Sequence, residues 1–186
     1  MKTTLLFISV FLTTSLFGQN VYIPDAIFKA YLVGIPIINT NGDTEIQVTE
    51  ASSYNSYIDC SETGPDGISD LTGIEAFTAL TGLNCDGNAL TSLDVSQNTA
   101  LTLLYCGYNQ LTSLDVSQNT DLWALECGEN QLTSLDVTQN TALERFGCSY
   151  NQLTSLDVSQ QSALTEFSCR NNPLTCLNVA NGNNTY

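Results

Sequence analysis

From Leu80 onward, apolar residues return every 21 positions. Full copies run Leu80–Ala100, Leu101–Asp121, Leu122–Ala142 and Leu143–Ala163, and an incomplete one starts at Leu164. Each opens as LxxLxCxxNxL, with Phe146 and Phe167 for the second Leu in the last two, for example LTLLYCGYNQL from Leu101 and LWALECGENQL from Leu122. In xLxCx, alternate residues of an extended strand point to opposite sides, so Leu and Cys share one face and the x residues the other. So short a strand cannot bury its apolar side alone, and stacked copies make a parallel sheet over one continuous core. The second half, TSLDVSQNTA or a close variant, alternates as far as Val and then turns polar. It predicts short strands or bridges on the far side of the core, then tight turns rather than helices. Leu90, Leu93 and Val95, with their counterparts, are therefore core. An earlier, degenerate copy surrounds YIDCS and continues through GISDLTGIEAFTA. Upstream, IPDAIFKAYLVG reads as a helix with Pro24 near its first turn and Gly34 after its end. Ala26, Ile27, Ala30 and Tyr31 form its expected docking face, which covers the open core of the first repeat.

Three polar columns accompany this pattern. Asn88, Asn109, Asn130, Asn151 and Asn172 sit where the chain leaves the strand, and their amides can satisfy backbone groups of a buried turn. Asn98, Asn119, Asn140 and Gln161 mark the other bend. Asp94, Asp115, Asp136 and Asp157 are read as caps on turn N–H groups, pointing to solvent; a cation held between stacked carboxylates is the alternative. Six of the seven cysteines form a strand column: Cys60, Cys85, Cys106, Cys127, Cys148 and Cys169. In-register neighbours in a parallel sheet lie about 4.8 Å apart with parallel Cβ vectors, whereas disulfides need closer, converging ones. The column is read as small buried hydrophobes, with scattered adjacent disulfides or a metal–thiolate ladder as alternatives. Cys176, outside it, is the potentially reactive or intermolecular thiol.

The repeats resemble the leucine-rich repeat family and, more narrowly, internalin-type repeats of secreted Bacteroidota proteins, over roughly residues 55–180. The resemblance implies an α/β-type leucine-rich repeat solenoid. A curved parallel β-sheet would line the concave side, with short strands and turns on the convex side and a small helical N-terminal cap. Cys stands where such repeats usually carry Leu. The chain then divides into a cap at 19–54, a degenerate repeat at 55–79, regular repeats at 80–180 and a tail at 181–186. Relatives of this type often continue into more repeats and a C-terminal sorting domain. The chain is therefore expected to be a fragment of a larger surface protein or a short released member.

Within the cap, NTNGDTEIQVTE (Asn39–Glu50) resembles an EF-hand calcium loop. The resemblance implies calcium held by Asn39, Asn41, Asp43, the backbone carbonyl of Glu45 and bidentate Glu50. Asn at the first position and Thr44 in place of Gly at the sixth depart from the pattern. A polar turn, or a loop that keeps its shape without metal, is the alternative.

The first residues change the cellular picture. MKTT, the apolar LLFISVFLTTSLF and the following GQ read as a signal peptide over 1–18, cut after Gly18. The apolar run is short for a membrane span, so no membrane insertion is expected after cleavage. Without Lys2, three cations face 19 acids, giving 3 − 19 = −16. Such a surface repels phosphates and anionic headgroups, which argues against nucleic acid. The absence of histidine removes Ser-His-Asp and Cys-His nucleophiles and the usual zinc chemistry.

Where the copies differ, they differ on the outward strand positions and their flanks. Tyr105, Tyr108, Trp123 and Tyr150 fall in neighbouring repeats there, with Glu126 and Arg145 among them. Aromatics beside an Arg are what interface anchors look like, and a flat ring can also stack on a sugar. Rings packed over Gly107, Gly128 and Gly147 for the sheet's own sake are the other reading. Glu126, Glu129 and Glu144 on an open sheet lack the pocket that acid–base chemistry needs. The expected function is therefore a secreted, extracellular or cell-surface, non-catalytic module that binds an extracellular protein through its concave sheet. A carbohydrate-binding or adhesion module, or a structural spacer, is the alternative.

Overall fold

The computed structural model describes residues 18–62 and 67–182. Residues 1–17, which hold most of the expected signal peptide, lie outside the described residues, as do 63–66 and 183–186. Along the chain the strands are β1 Tyr57–Asp59, β2 Gly82–Asn84, β3 Leu103–Tyr105, β4 Ala124–Glu126, β5 Arg145–Gly147, β6 Ser155–Asp157, β7 Glu166–Ser168 and β8 Cys176–Asn178. Six of them form one parallel sheet in the order β1-β2-β3-β4-β5-β7, and β6 pairs with β8 in a second, two-stranded sheet. The repeat period sets the register: Leu83, Leu104, Leu125, Phe146 and Phe167 stand side by side. The fold is a parallel β-solenoid of leucine-rich-repeat type.

The core fills the space between the two sides. Leu80, Leu101, Leu122, Leu143 and Leu164 are fully buried, as are Leu90, Leu111, Leu132 and Leu153 and the column Val95, Val116, Val137 and Val158. The far side follows the SLDV alternation only in part. One Asp94–Asp115 bridge forms near the start and the β6–β8 pair near the end. The turns after it are tight: Asn98 N donates to Val95 O at 3.0 Å, and Leu101 N to Asn98 O at 3.0 Å. Each column Asp caps a turn, with Ser96, Ser117, Thr138 and Ser159 donating N–H to it at 2.8 to 2.9 Å. The N–H and then the hydroxyl of Ser96 and Ser117 hold Asp94 and Asp115 below the usual carboxylate value, and at Asp157 the Ser159 hydroxyl leads and its N–H follows.

Two amide ladders tie rung to rung. Asn130 Nδ2 donates to the carbonyls of Cys106, Cys127 and Gly128, while its Oδ1 accepts from Leu111 N at 2.9 Å. Asn109 and Asn151 repeat the pattern. At the other bend, Asn119 Nδ2 donates to Val95 O and Asn98 O, and Asn140 Nδ2 to Val116 O and Asn119 O. The side chain of one rung thus satisfies carbonyls of the rung before it, which no water can reach.

In the cap, α1 is Ala26–Val33 and α2 is Val48–Ser53. Asp25 Oδ1 accepts from Ile27 N and Phe28 N, and its Oδ2 accepts from Ser69 N, so the helix cap also grips the first repeat. The docking face differs from the expected one. Phe28 and Leu32, one turn apart, are fully buried, whereas Ile27 is exposed and Tyr31 half-buried. Phe28 and Leu32 at i, i+4 reach the core beside Ile38 and Ile46, and they set the helix's rotation.

The cysteines Cys60, Cys85, Cys106, Cys127 and Cys148 are buried, Cys169 is half-buried and Cys176 exposed, all as free thiols. Burial pushes the Cys60 thiol up to about 12, with the charge of Asp59 adding to it. It raises Cys85, Cys106, Cys127 and Cys148 in the same direction. Alkylation of the folded chain at pH 8 should therefore modify Cys176 first and Cys169 more slowly. The five buried thiols should react only after denaturant is added, as read by intact mass. Asn130→Ala leaves the Leu111 N–H without its acceptor and takes one of two amide donors from each of the Cys106 and Cys127 carbonyls, and should cost about 2–3 kcal/mol in urea unfolding.

Candidate functional site

In each strand of the six-stranded sheet the middle residue points into the core, so the first and third positions face outward. Two further positions continue this face beyond the ladder cysteine. Asp86, Gly107, Gly128, Ser149 and Arg170 form one column, and Gly87, Tyr108, Glu129, Tyr150 and Asn171 the next. A depression of about 410 Å³ opens here across β3, β4, β5 and β7. Tyr105, Tyr108 and Tyr150 line it with Glu126, Glu129 and both arginines of the chain, and Gly107 and Gly128 lie on its floor. The structure thus brings together five of the six sequence-predicted binding residues: Tyr105, Tyr108, Glu126, Arg145 and Tyr150.

Trp123 is the exception. It stands before the strand, on the opposite flank, with Thr81, Thr102, Glu144 and Thr165. In that column the hydroxyls of Thr81, Thr102 and Thr165 donate to the carbonyls of Ser56, Thr81 and Glu144 one rung earlier. Trp123, 42% exposed, interrupts the ladder instead of entering the depression.

The geometry of the depression has identifiable causes. Tyr108, Glu129, Tyr150 and Asn171 are held at φ of 51 to 57°, and Gly87 shares the position at 66°. The left-handed region costs an L-residue about 1–2 kcal/mol, yet the rung demands it. Asn109 N and Asn130 N donate to the carbonyls of Glu129 and Tyr150 from this turn. The side chains are thereby thrown outward, and Tyr108 is 67% exposed and Tyr150 44%. Gly87 and Asn171, both tolerant of positive φ, are the sequence signal that could have revealed this column.

Arg145 Nε donates to Glu126 Oε1 at 2.9 Å, and Glu166 Oε2 lies 3.6 Å away. The Glu126 bond, then its charge, hold the guanidinium above its ordinary value. The Glu126 carboxylate lies where a Cβ on Gly147 would stand, so that glycine is required by its neighbour's side chain rather than by an aromatic ring. Arg170, absent from the sequence-based site set, lies over the Tyr150 ring with Cζ 5.7 Å from its centroid. Asp86 is held above its usual value by burial, against the Gly107 N–H that it accepts, with the charges of Glu126, Asp59 and Glu62 adding. Glu144 stands on the other flank, so the three carboxylates singled out in the sequence do not converge.

The calcium-loop reading of the cap is not supported. Its oxygens face N–H donors. Asn39 Oδ1 accepts from Gly42 N, and Asn41 Oδ1 from Asp43 N. Asp43 accepts from Glu45 N, Asn41 Nδ2 and Gln47 Nε2. Glu50 accepts from the N–H groups of Thr40, Asn41 and Gln47 and from the Thr40 hydroxyl. Glu45 pairs with Lys29 at 2.6 Å. The positive-φ turn falls on Gly42, two residues before the position where a calcium loop makes it. Among the described residues there is no group of three or more His, Cys, Asp or Glu that could hold a metal. Glu50 is therefore a capping-box residue of α2.

No protein-family model matches the chain, and no curated protein matches it. Among solved structures it is similar to the functional domain of InlJ from Listeria monocytogenes, which includes a cysteine ladder. Identity is 40% and the TM-score 0.77, over 88% of this chain and 36% of that one. This chain thus spans about a third of that domain's length. Internalin C2 from Listeria monocytogenes shares the fold at 18% identity and a TM-score of 0.53, over 84% of this chain and 90% of that one. Neither comes from the Bacteroidota of the sequence resemblance.

Burial raises Glu50 and its four donors lower it further, so the net shift is downward. A depressed carboxylate stabilises the fold fully above the usual carboxylate range, and that contribution is lost as pH falls through the lowered value. Glu50→Gln should cost about 1–2 kcal/mol at pH 7 and flatten the acid limb of a stability–pH curve, read by urea unfolding. With these carboxylates occupied by N–H donors, the chain is a leucine-rich-repeat solenoid of internalin-like structure whose cap is closed by its own hydrogen bonds.

Proposed function

We propose that the chain is a secreted, non-catalytic binding module that takes an extracellular protein on the outer face of its sheet. The observation that carries this is the convergence of three tyrosines and both arginines on one depression of an otherwise acidic molecule. Tyr and Arg dominate interface energetics because they bury large area while keeping a polar handle. Tyr108 and Tyr150 remain exposed in a backbone region that glycine or asparagine would occupy at less cost. That expense supports a use outside the fold. The similar structure from InlJ is a functional domain that includes a cysteine ladder, which supports the same reading. Among the described residues no helix is long and apolar enough to cross a membrane. The leader-like N-terminus supports export, with calcium left out of the function.

A sugar-binding reading draws on the same tyrosines, and an assay with both ligand classes separates them. The mature chain and a Tyr105→Ser, Tyr108→Ser, Tyr150→Ser variant, both folded by circular dichroism, would be used to capture proteins from extracellular extracts and to probe a glycan array. A protein retained by the first and lost by the second is the expected result, with Trp123→Ser leaving capture within about threefold. Capture unaffected by the triple change would remove the outer face as the working surface. A glycan signal lost in its place would shift the reading to carbohydrate.

A further inference from the structure

The residue after the ladder cysteine donates its N–H to a side chain rather than to a ladder carbonyl: Ser61 N to Asp59 Oδ1 at 3.2 Å and Asp86 N to Asn84 Oδ1 at 3.1 Å, each two residues back. At Gly107 the N–H meets an acceptor, Asp86 Oδ1, at 2.5 Å. One and two rungs on, the N–H groups of Gly128 and Ser149 have no acceptor among the described residues. The cause is in the sequence. The residue that would cap Gly128 as Asp86 caps Gly107 is Gly107 itself, and the one that would cap Ser149 is Gly128. A Cβ built on Gly107 would stand 3.8 Å from Gly128 N, and one built on Gly128 3.6 Å from Ser149 N. The Gly128 and Ser149 carbonyl oxygens lie nearer still, at 3.1 and 3.0 Å, and already accept from Tyr108 N and Glu129 N, so the two N–H groups are the unsatisfied polar groups beside these glycines. They lie one rung apart, about 4.8 Å. Next in the column stands Arg170, which makes no ion pair among the described residues, in contrast to Arg145. Aligned backbone donors beside a guanidinium make an anion site.

We propose that the depression holds a carboxylate, and that an Asp or Glu side chain of the partner protein sits on the N–H groups of Gly128 and Ser149 and pairs with Arg170. This rests on the outer face being a protein-binding surface. Asp86 on Gly107 is the same contact made within the chain. The charge complementarity is local: two donors and a cation stand where the neighbouring rung carries its own acid. Gly107 is buried while Tyr108 beside it stands exposed, so the floor is recessed. A carboxylate on a flexible stem reaches it, which favours an acidic side chain over a uronic acid with its carboxylate fixed to a ring.

The test is a ¹H–¹⁵N NMR titration of the folded chain with acetylated tetraglutamate, beside tetraglutamine and trigalacturonate. Downfield, saturable movement of the Gly128 and Ser149 amides with tetraglutamate alone is expected. Arg170→Gln should weaken it about tenfold or more. Gly107→Asp places a built-in cap on Gly128 and should abolish the Gly128 response; if that variant does not fold, Arg170→Gln carries the test. Equal movement with tetraglutamine, or no response of these two amides at millimolar peptide, would overturn the proposal. A stronger response to trigalacturonate would replace the side chain by a uronic acid. A captured partner that still binds both variants would keep the protein-binding reading and remove the carboxylate site. Tetraglutamate responses in a chain that captures no protein would do the reverse.

Discussion

Asn109 donates to the carbonyls of Cys85, Cys106 and Gly107 and accepts from the N–H of Leu90. One side chain thus joins two rungs and closes a turn from which water is excluded. Leaving such groups unpaired costs about 1–3 kcal/mol each, so the amide cannot move without the turn moving. Repeated as Asn130, Asn151 and Asn172, it fixes both the spacing between rungs and the path of the chain after the strand. The left-handed residue beside it follows from that path. So does the way Tyr108 and Tyr150 are presented.

Because the amides and the leucine and valine columns bind the rungs together, the outer face has little structural duty. Its residues vary from copy to copy, and side chains there can be spent elsewhere. The flank column shows the division of labour: threonines bridge rungs where they can, and Trp123 and Glu144 give up that bridge. Glycines on the face are of two kinds. Gly147 makes room for the Glu126 carboxylate that holds Arg145. Gly107 and Gly128 supply no side chain to cap the next rung and leave the Gly128 and Ser149 N–H groups without an acceptor among the described residues.

The solenoid was legible in the sequence because its repeats are in register: period, strand positions, core columns and the asparagine turns all follow from alternation and spacing. The cap was less so. Its helix was placed by Pro24 and Gly34, but its rotation depended on how far Phe28 and Leu32 reach into a core formed elsewhere. In the Asn39–Glu50 loop, residue types alone match a calcium loop, while the turn at Gly42 directs those oxygens to N–H groups. On the outer face, variability located five of the six chosen residues in the depression. Trp123, on the flank opposite Tyr108 and Tyr150, stays outside it. The importance of Gly107 and Gly128 was hidden because a missing cap is visible only beside Asp86, which supplies one.

A molecule with a formal charge of −15 is an unexpected place for a carboxylate. Two ranges of interaction decide the matter. The net charge acts over long distances and is screened beyond about 8 Å at physiological salt. Hydrogen bonds from Gly128, Ser149 and Arg170 act at contact, in a recess where water competes less. Asp86 already tolerates such a position beside Asp59, Glu62 and Glu126, although burial and those charges make ionisation harder for it. What lets a carboxylate remain there is the N–H it accepts. The neighbouring rungs offer that donor twice and add the Arg170 guanidinium, set against the Glu126 and Glu129 carboxylates that line the same depression.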